Sequence, residues 1–149
     1  MNNLISIKNL SIGFKSQKEK STVVKSISFD IPKAKTVALV GESGSGKTVT
    51  ALSILKLLPY PSAFHETGQI IYENVDLLKS DQNQIQKIRG KKISAIFQEP
   101  MTSLNPLHTI EKQINEILIT HSNISYVKAT EKTKDLLKSI KNQKDKFLV

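Results

Sequence analysis

Residues 4–14 (LISIKNLSIGF) and 26–32 (SISFDIP) alternate apolar and polar side chains over short spans, the period-two pattern of a strand with one buried face. The stretch between them, KSQKEKST at 15–22, has mixed charge and no apolar period, which predicts an exposed hairpin loop. Val37, Ala38, Leu39 and Val40 then form an unbroken apolar run ending at Gly41, as expected of a central strand covered on both faces. After Gly46 the period becomes helical. Ala51, Ile54, Leu55 and Leu58 repeat at i, i+3, i+4 and i+7, and Pro59 and Pro61 end the pattern.

Beyond the prolines, GQIIYENVDLL (68–78) predicts a strand and turn, QNQIQKI (82–88) a short helix, and Ile93–Phe97 another apolar strand. Ile110, Ile114, Ile117 and Leu118 mark a further helix, and Leu136, Leu137 and Ile140 a second, weaker one. The 149 residues match the length of one domain. No internal repeat or long linker divides them.

Composition narrows the class. With 38% hydrophobic and 23% charged residues the chain is globular rather than disordered. It has no cysteine, so neither a disulfide framework nor a thiolate metal site is available. No apolar run reaches the length of a membrane span, and the first ten residues lack the pattern of a signal peptide. The net charge of +9 raises nucleic acid, an anionic surface or a phosphate ligand as partners. Arg89 is the single arginine among 22 cationic residues, whereas base and phosphate readers favour arginine for its planar fork. Seven of the lysines (128, 132, 134, 138, 141, 144 and 146) lie in the tail beginning at Tyr126, which reads as a solvated helix face. No nucleic-acid partner is expected.

The chemistry concentrates at Gly41-Glu42-Ser43-Gly44-Ser45-Gly46-Lys47-Thr48, a G-x-x-x-x-G-K-[ST] segment between the apolar run and the helix. A loop that wraps a phosphate must aim backbone N–H groups inward and let oxygens approach the main chain, which glycine permits. The following helix adds its unpaired N–H groups and the positive end of its dipole. Lys47 supplies a point charge to the β- and γ-phosphates, and the Thr48 hydroxyl can ligate Mg2+. By itself the motif indicates a nucleotide and no particular reaction. His65, His108 and His121 show no metal spacing and no nucleophile nearby in sequence, so they read as surface or capping residues.

The string IFQEPMTSLNP (Ile96–Pro106), together with GESGSGKT, closely resembles the ATP-binding subunits of ABC transporters, in particular the oligopeptide, dipeptide and nickel importers. IRGKKISAIFQ (88–98) and the segment 67–78 are similar to the same group. The resemblance implies an α/β P-loop NTPase of the ABC ATPase type: a β-rich N-terminal lobe, part of the central sheet and part of a helical subdomain. It implies an ATPase core over 1–107, with the P-loop and Q-loop, and a partial helical subdomain over 108–149. By the same resemblance Gln98 is the Q-loop glutamine, catalytic beside Lys47 and a Mg2+ ligand beside Thr48. Phe14, 27 residues before Gly41, falls where the family stacks an aromatic ring on adenine. ATP and Mg2+ are the implied cofactors. The implied partners are transmembrane permease subunits, a second ATP-binding subunit as homo- or heterodimer and, indirectly, an external substrate-binding protein. The implied location is cytoplasmic, peripheral on the inner face of the cell membrane.

The sequence also departs from the family. Complete members continue into an LSGGQ-like signature, an apolar strand ending in Asp-Glu and a switch histidine. Here Gly90 is the last glycine and no Asp-Glu dipeptide occurs. Glu42 and Glu99 stand near the implied site, but the resemblance places the catalytic glutamate after a strand absent from these residues. The expectation is therefore a truncated subunit of a peptide or nickel importer with negligible ATPase activity alone. The alternative is a non-catalytic, nucleotide-binding remnant of a split or decaying gene. The run Val37–Val40 is expected to be left as an exposed apolar edge. Ala34 stands where the family usually has glycine, which costs on the order of 1 kcal/mol if the turn needs positive φ.

Overall fold

A computed structural model of the chain describes residues 3–17, 19–97 and 104–147, the side chains of 141–147 excepted. It divides into two compact units, Met1–Ile93 and Ser94–Val149.

The first unit is built on a four-stranded antiparallel sheet of order β2-β1-β3-β4, formed by β1 (Asn3–Lys15), β2 (Lys20–Pro32), β3 (Ala63–Tyr72) and β4 (Val75–Asp76). The alternation in β1 does what its period demands: Ile5, Ile7, Leu10 and Ile12 are all buried. The spacing breaks between Ile7 and Leu10, where a bulge interrupts the ladder with β2 and Asn9 takes φ 47°. The hairpin loop is shorter than the charge pattern predicts. Lys15 pairs with Lys20, because Thr22, Val23 and Val24 are β-branched and extend β2 toward the loop.

Helix α1 (Lys47–Ile54) and helix α2 (Gln82–Ile88) contribute Val49, Leu52, Ile54, Ile85 and Ile88 to the cluster formed by the β1–β3 core. In α1 the buried positions are Thr50 and Ser53, whereas Ala51 of the expected stripe is exposed. The Thr50 hydroxyl returns to Gly46 O at 2.9 Å and the Ser53 hydroxyl to Thr50 O at 2.7 Å, so both polar groups are satisfied inside the helix. Asp81 begins α2 with a capping box, its carboxylate accepting from Gln84 N at 2.8 Å and its own N–H donating to Gln84 Oε1 at 3.1 Å. Burial lowers the pKa of His65 in β3, the Lys56 charge lowers it further, and Asp76 pulls the other way. A depressed histidine pKa makes the unfolded chain take up the proton first. Stability should therefore fall as pH drops through about 6.5 and level off once the folded imidazole titrates too. Urea midpoints across that range check the sign, and His65→Phe should flatten the dependence.

Two apolar runs that read as strands form no ladder. Residues 35–42 have no regular structure, and Val40 is 88% exposed. Of Ile93–Phe97, only Ile93 makes an isolated parallel bridge, to Arg89. Apolar character suits a central strand, but a strand forms only where another offers its N–H and C=O groups. None among the described residues pairs with 37–40. The turn before that run holds Ala34 at φ 57°, a left-handed conformation that glycine takes without strain. Ala34→Gly should raise stability by about 0.5–1 kcal/mol, the relief of strain exceeding the added chain entropy; a urea midpoint that falls would contradict this.

The second unit contains α3 (Ile110–Ser122) and α4 (Tyr126–Phe147). Thr109 caps α3 by accepting from Lys112 N at 3.2 Å, and Asn123, at φ 50°, ends it. Their packed seam is not the apolar stripe. Ala129, Thr133 and Asn115 are fully buried, and the Asn115 amide bridges the hydroxyls of Thr130 at 2.9 Å and Thr133 at 2.6 Å. Ile117 is 59% exposed, and Leu136, Leu137 and Ile140 are exposed as well. Small residues let the helices approach, and a satisfied amide makes the polar seam tolerable. Among the described residues no helix is long and apolar enough to cross a membrane.

Candidate phosphate-binding site

The loop 41–46 enters α1 through two left-handed glycines, Gly44 at φ 80° and Gly46 at φ 85°. At Gly44 a side chain would meet nothing within 4 Å, so the constraint there is purely backbone conformation. At Gly46 a Cβ would lie 2.7 Å from Val24 Cγ2 and 3.4 Å from Val23 O. Glycine is thus needed twice over, for φ and for the seat of the loop against β2. A Cβ on Gly41 would lie 2.9 Å from Ser45 Oγ, so the loop also closes on itself, with Ser45 N donating to Glu42 O at 3.3 Å.

Lys47 folds back over this ring. Its Nζ donates to Gly41 O at 2.7 Å, to Glu42 O and to Ser45 Oγ at 3.2 Å. An ammonium with three rotatable donors is thereby held at the mouth of the loop, on acceptors that an incoming anion can replace. Gly46 offers no side chain to cap α1, and no acidic residue occupies its first turn. The first N–H groups of the helix consequently lack intrahelical acceptors, and the positive end of the dipole is not neutralised. Residues 41–45 and Thr48 are exposed. The donor set is therefore backbone N–H groups, one ammonium and one hydroxyl around a ring of small residues. That set fits an oxyanion.

The structure places Gly41, Glu42, Ser43, Gly44, Ser45, Gly46, Lys47 and Thr48 in one loop and helix start. Phe14 sits in the same unit, half-buried against the core and paired with Ser21 and Ala63. Val24, against which Gly46 rests, pairs with Ile12. Phe14 is two positions further along β1, about 7 Å. Gln98 and Glu99 lie outside the described residues, so neither is placed relative to this loop.

Sequence reading missed two supports of the site. One is the Val23–Val24 seat for Gly46, which depends on a register no local pattern reveals. The other is Arg89, whose Nε donates to Leu55 O and Nη2 to Lys56 O, both at 2.8 Å. The guanidinium gathers the carbonyls at the end of α1 and so fixes the helix that carries Lys47. The signal was its rarity, one arginine in a lysine-rich chain.

The ABC transporter family model matches residues 24–148. The chain is 52% identical over 134 residues to the peptidoglycan transport ATP-binding protein YejF of Agrobacterium fabrum, covering 90% of this chain and 24% of that protein. It is 41% identical over 137 residues to the oligopeptide transport ATP-binding protein OppD of Bacillus subtilis, covering 92% of this chain and 38% of that one. It thus spans about a quarter to two fifths of these relatives. Among solved structures it is similar to the dimeric bacterial ABC transporter cassette MJ0796, with a TM-score of 0.74 and 26% identity over 90% of this chain and 56% of the cassette.

Proposed function

Because this chain belongs to the ABC transporter family, we propose that residues 41–48 bind the phosphates of ATP and that the chain serves as an ATP-binding subunit of a peptide importer. The carrying observation is the loop itself, with two left-handed glycines, an uncapped helix start and Lys47 Nζ across its mouth. On ATP the Lys47 ammonium leaves the carbonyls of Gly41 and Glu42 for the β- and γ-phosphate oxygens, exchanging neutral acceptors for charged ones. The backbone of Gly41–Gly46 surrounds the β-phosphate. The Thr48 hydroxyl is the residue of this loop suited to hold Mg2+, which when bound would supply positive charge to the phosphates. Gln98 is assigned to the same ion and to water, and Phe14 to the adenine ring, since its strand position lies a short distance along the sheet from the loop's seat.

Similarity to oligopeptide and dipeptide transport ATP-binding proteins supports oligopeptide, dipeptide or related substrates. The partners that follow are transmembrane permease subunits and a second ATP-binding subunit, with an external binding protein acting through the permease, and the place of work is the inner membrane face. The core 1–107 carries nucleotide and 108–149 belongs to the helical subdomain. A polypeptide of these 149 residues lacks a glycine-rich signature after Gly90 and any Asp-Glu pair, so it binds ATP without appreciable turnover. Titration with ATP and Mg2+, followed by amide NMR, should shift the signals of residues 41–48 in a saturable way. Adenosine should not move them. Absence of saturable shifts at millimolar ATP would sink this reading.

A further inference from the structure

A cavity of about 660 Å³ opens in the first unit, away from the residues assigned to nucleotide. Leu57, Leu58 and Leu78 form its apolar wall, and Lys56, Tyr60, His65, Gln82 and Arg89 bring polar heads to it. Volume, apolar wall and a few convergent polar groups are the ordinary attributes of a small-molecule site. We propose that this cavity is a second ligand site, taking a small carboxylate that carries an apolar body.

The charge of the lining sets the sign of the ligand. Two cations line the cavity and no Asp or Glu does, among the described residues. Asp76, the acid that acts on His65, does not line the cavity: its Oδ1 accepts from Ile70 N and Leu78 N at 3.3 and 3.1 Å, while its Oδ2, 3.9 Å from Lys79 Nζ, is enclosed without a hydrogen-bond partner among the described residues. Lys56 Nζ donates to Leu78 O at 3.1 Å and Ser80 O at 2.9 Å, and Arg89 holds Leu55 O and Lys56 O. Those contacts use some donors and leave other N–H groups of both cations for an anion. His65 Nε2 is enclosed and has no hydrogen-bond partner among the described residues, a state that buried polar atoms rarely keep without a ligand or water. The His65 ring lies 5.9 Å from that of Tyr60, tilted by 34°. Burial and Lys56 lower the pKa of this imidazole and Asp76 raises it; in either ionisation state the ring carries an N–H for an oxygen acceptor.

The frame is also fixed in advance. Lys56 takes φ 50°, and that conformation is held at every polar group: its N donates to Ser53 O at 3.0 Å, its O accepts from Arg89 and its Nζ binds two carbonyls. Strain persists where surroundings over-determine it, and a frame so held needs little ordering on binding. The leucines decide between anions, because a carboxylate with a hydrocarbon body covers apolar surface that inorganic phosphate cannot.

Benzoate titrated into the full chain, followed by amide and histidine-ring NMR, tests the assignment. Saturable shifts are expected at His65 and neighbouring amides, with a Kd on the order of 1 mM. His108 and His121 should not respond, and acetate and inorganic phosphate should bind about tenfold more weakly. His65→Phe and Tyr60→Phe, each keeping ring volume, should weaken benzoate about fivefold while the remaining spectrum is preserved; either variant suffices if the other fails to fold. Lys47→Ala should leave benzoate binding intact, which separates this site from the nucleotide reading. Three results would overturn the proposal: no saturable shift at His65, equal response of all three histidines, or phosphate matching benzoate.

Discussion

Gly68→Ala should destabilise the first unit by about 3–4 kcal/mol, read as a large drop in the urea midpoint with unchanged slope. The residue lies in β3 opposite the bulge of β1, at φ 105°. A Cβ there would sit 2.5 Å from Leu10 Cα, 2.7 Å from Asn9 O and 2.8 Å from Leu10 N. All three are backbone atoms, so no rotamer change relieves the clash. The bulge cannot retreat easily either. Asn9 N donates to Ser28 Oγ at 2.8 Å, and the Thr67 hydroxyl reaches Asn9 O and Ser11 Oγ, each at 2.9 Å. Unfavourable φ and overpacking therefore add. Gly13→Ala is the milder comparison, since its Cβ would meet the rim of the Phe64 ring at 2.6 Å, a side chain, and of the backbone only Ser21 O, at 3.0 Å. It should cost about 1 kcal/mol. Equal losses in the two variants would refute the distinction between backbone and side-chain obstruction.

Gly68 also shows where sequence reading stops. In the sequence it stands as the first residue of an apolar stretch, GQIIY, and looks like the boundary of a strand. It lies inside β3, because Ala63, Phe64 and His65 pair with Phe14, Gly13 and Ile12 on the far side of the bulge. Pairing across 50 residues leaves no mark on local periodicity. α2 was legible to the residue, because Asp81 and Gln84 cap it within four positions. The motif at 41–48 was legible for a similar reason, since its glycines, Lys47 and Thr48 stand close together in the chain, whereas the Val23–Val24 seat of Gly46 was not. The Val37–Val40 run was misjudged as an element. Its apolar pattern reports what a strand there would bury, while the ladder depends on neighbours from elsewhere in a chain. Likewise Ile117 marks the apolar face of α3 but not its seam, which Asn115 and Thr133 determine through hydrogen bonds between helices. The unequal roles of Lys56 and Arg89, tied down by backbone carbonyls, against lysines on an open helix face could not be told from composition.

Lys47→Ala should abolish most ATP binding, weakening it about 100-fold, while the folding midpoint scarcely moves. The two readouts diverge because of what Lys47 touches. In the free protein its ammonium contacts two loop carbonyls and one hydroxyl, all exposed. Hydrogen bonds made in water return little net stability, because water replaces the lost donor at each acceptor. At the bound phosphates the same donor meets full negative charge inside a ring of N–H groups. Charge-assisted bonds there contribute about 1.5–3 kcal/mol, and removal leaves the phosphate oxygens short of a cation. Helix α1 loses nothing essential, since its core contacts run through Val49, Leu52 and Ile54 and its far end is held by Arg89. Calorimetric titration of ATP beside urea denaturation of the same variant checks both halves. Retained affinity in Lys47→Ala would mean that the loop's backbone alone captures the phosphates, or that ATP sits elsewhere. Lys47→Arg separates charge from shape. The guanidinium keeps the charge, but its planar fork cannot fold onto Gly41 O and Glu42 O through a single nitrogen as the ammonium does. Binding should recover only in part, which assigns the remainder to the compact geometry of the ammonium at the mouth of the loop.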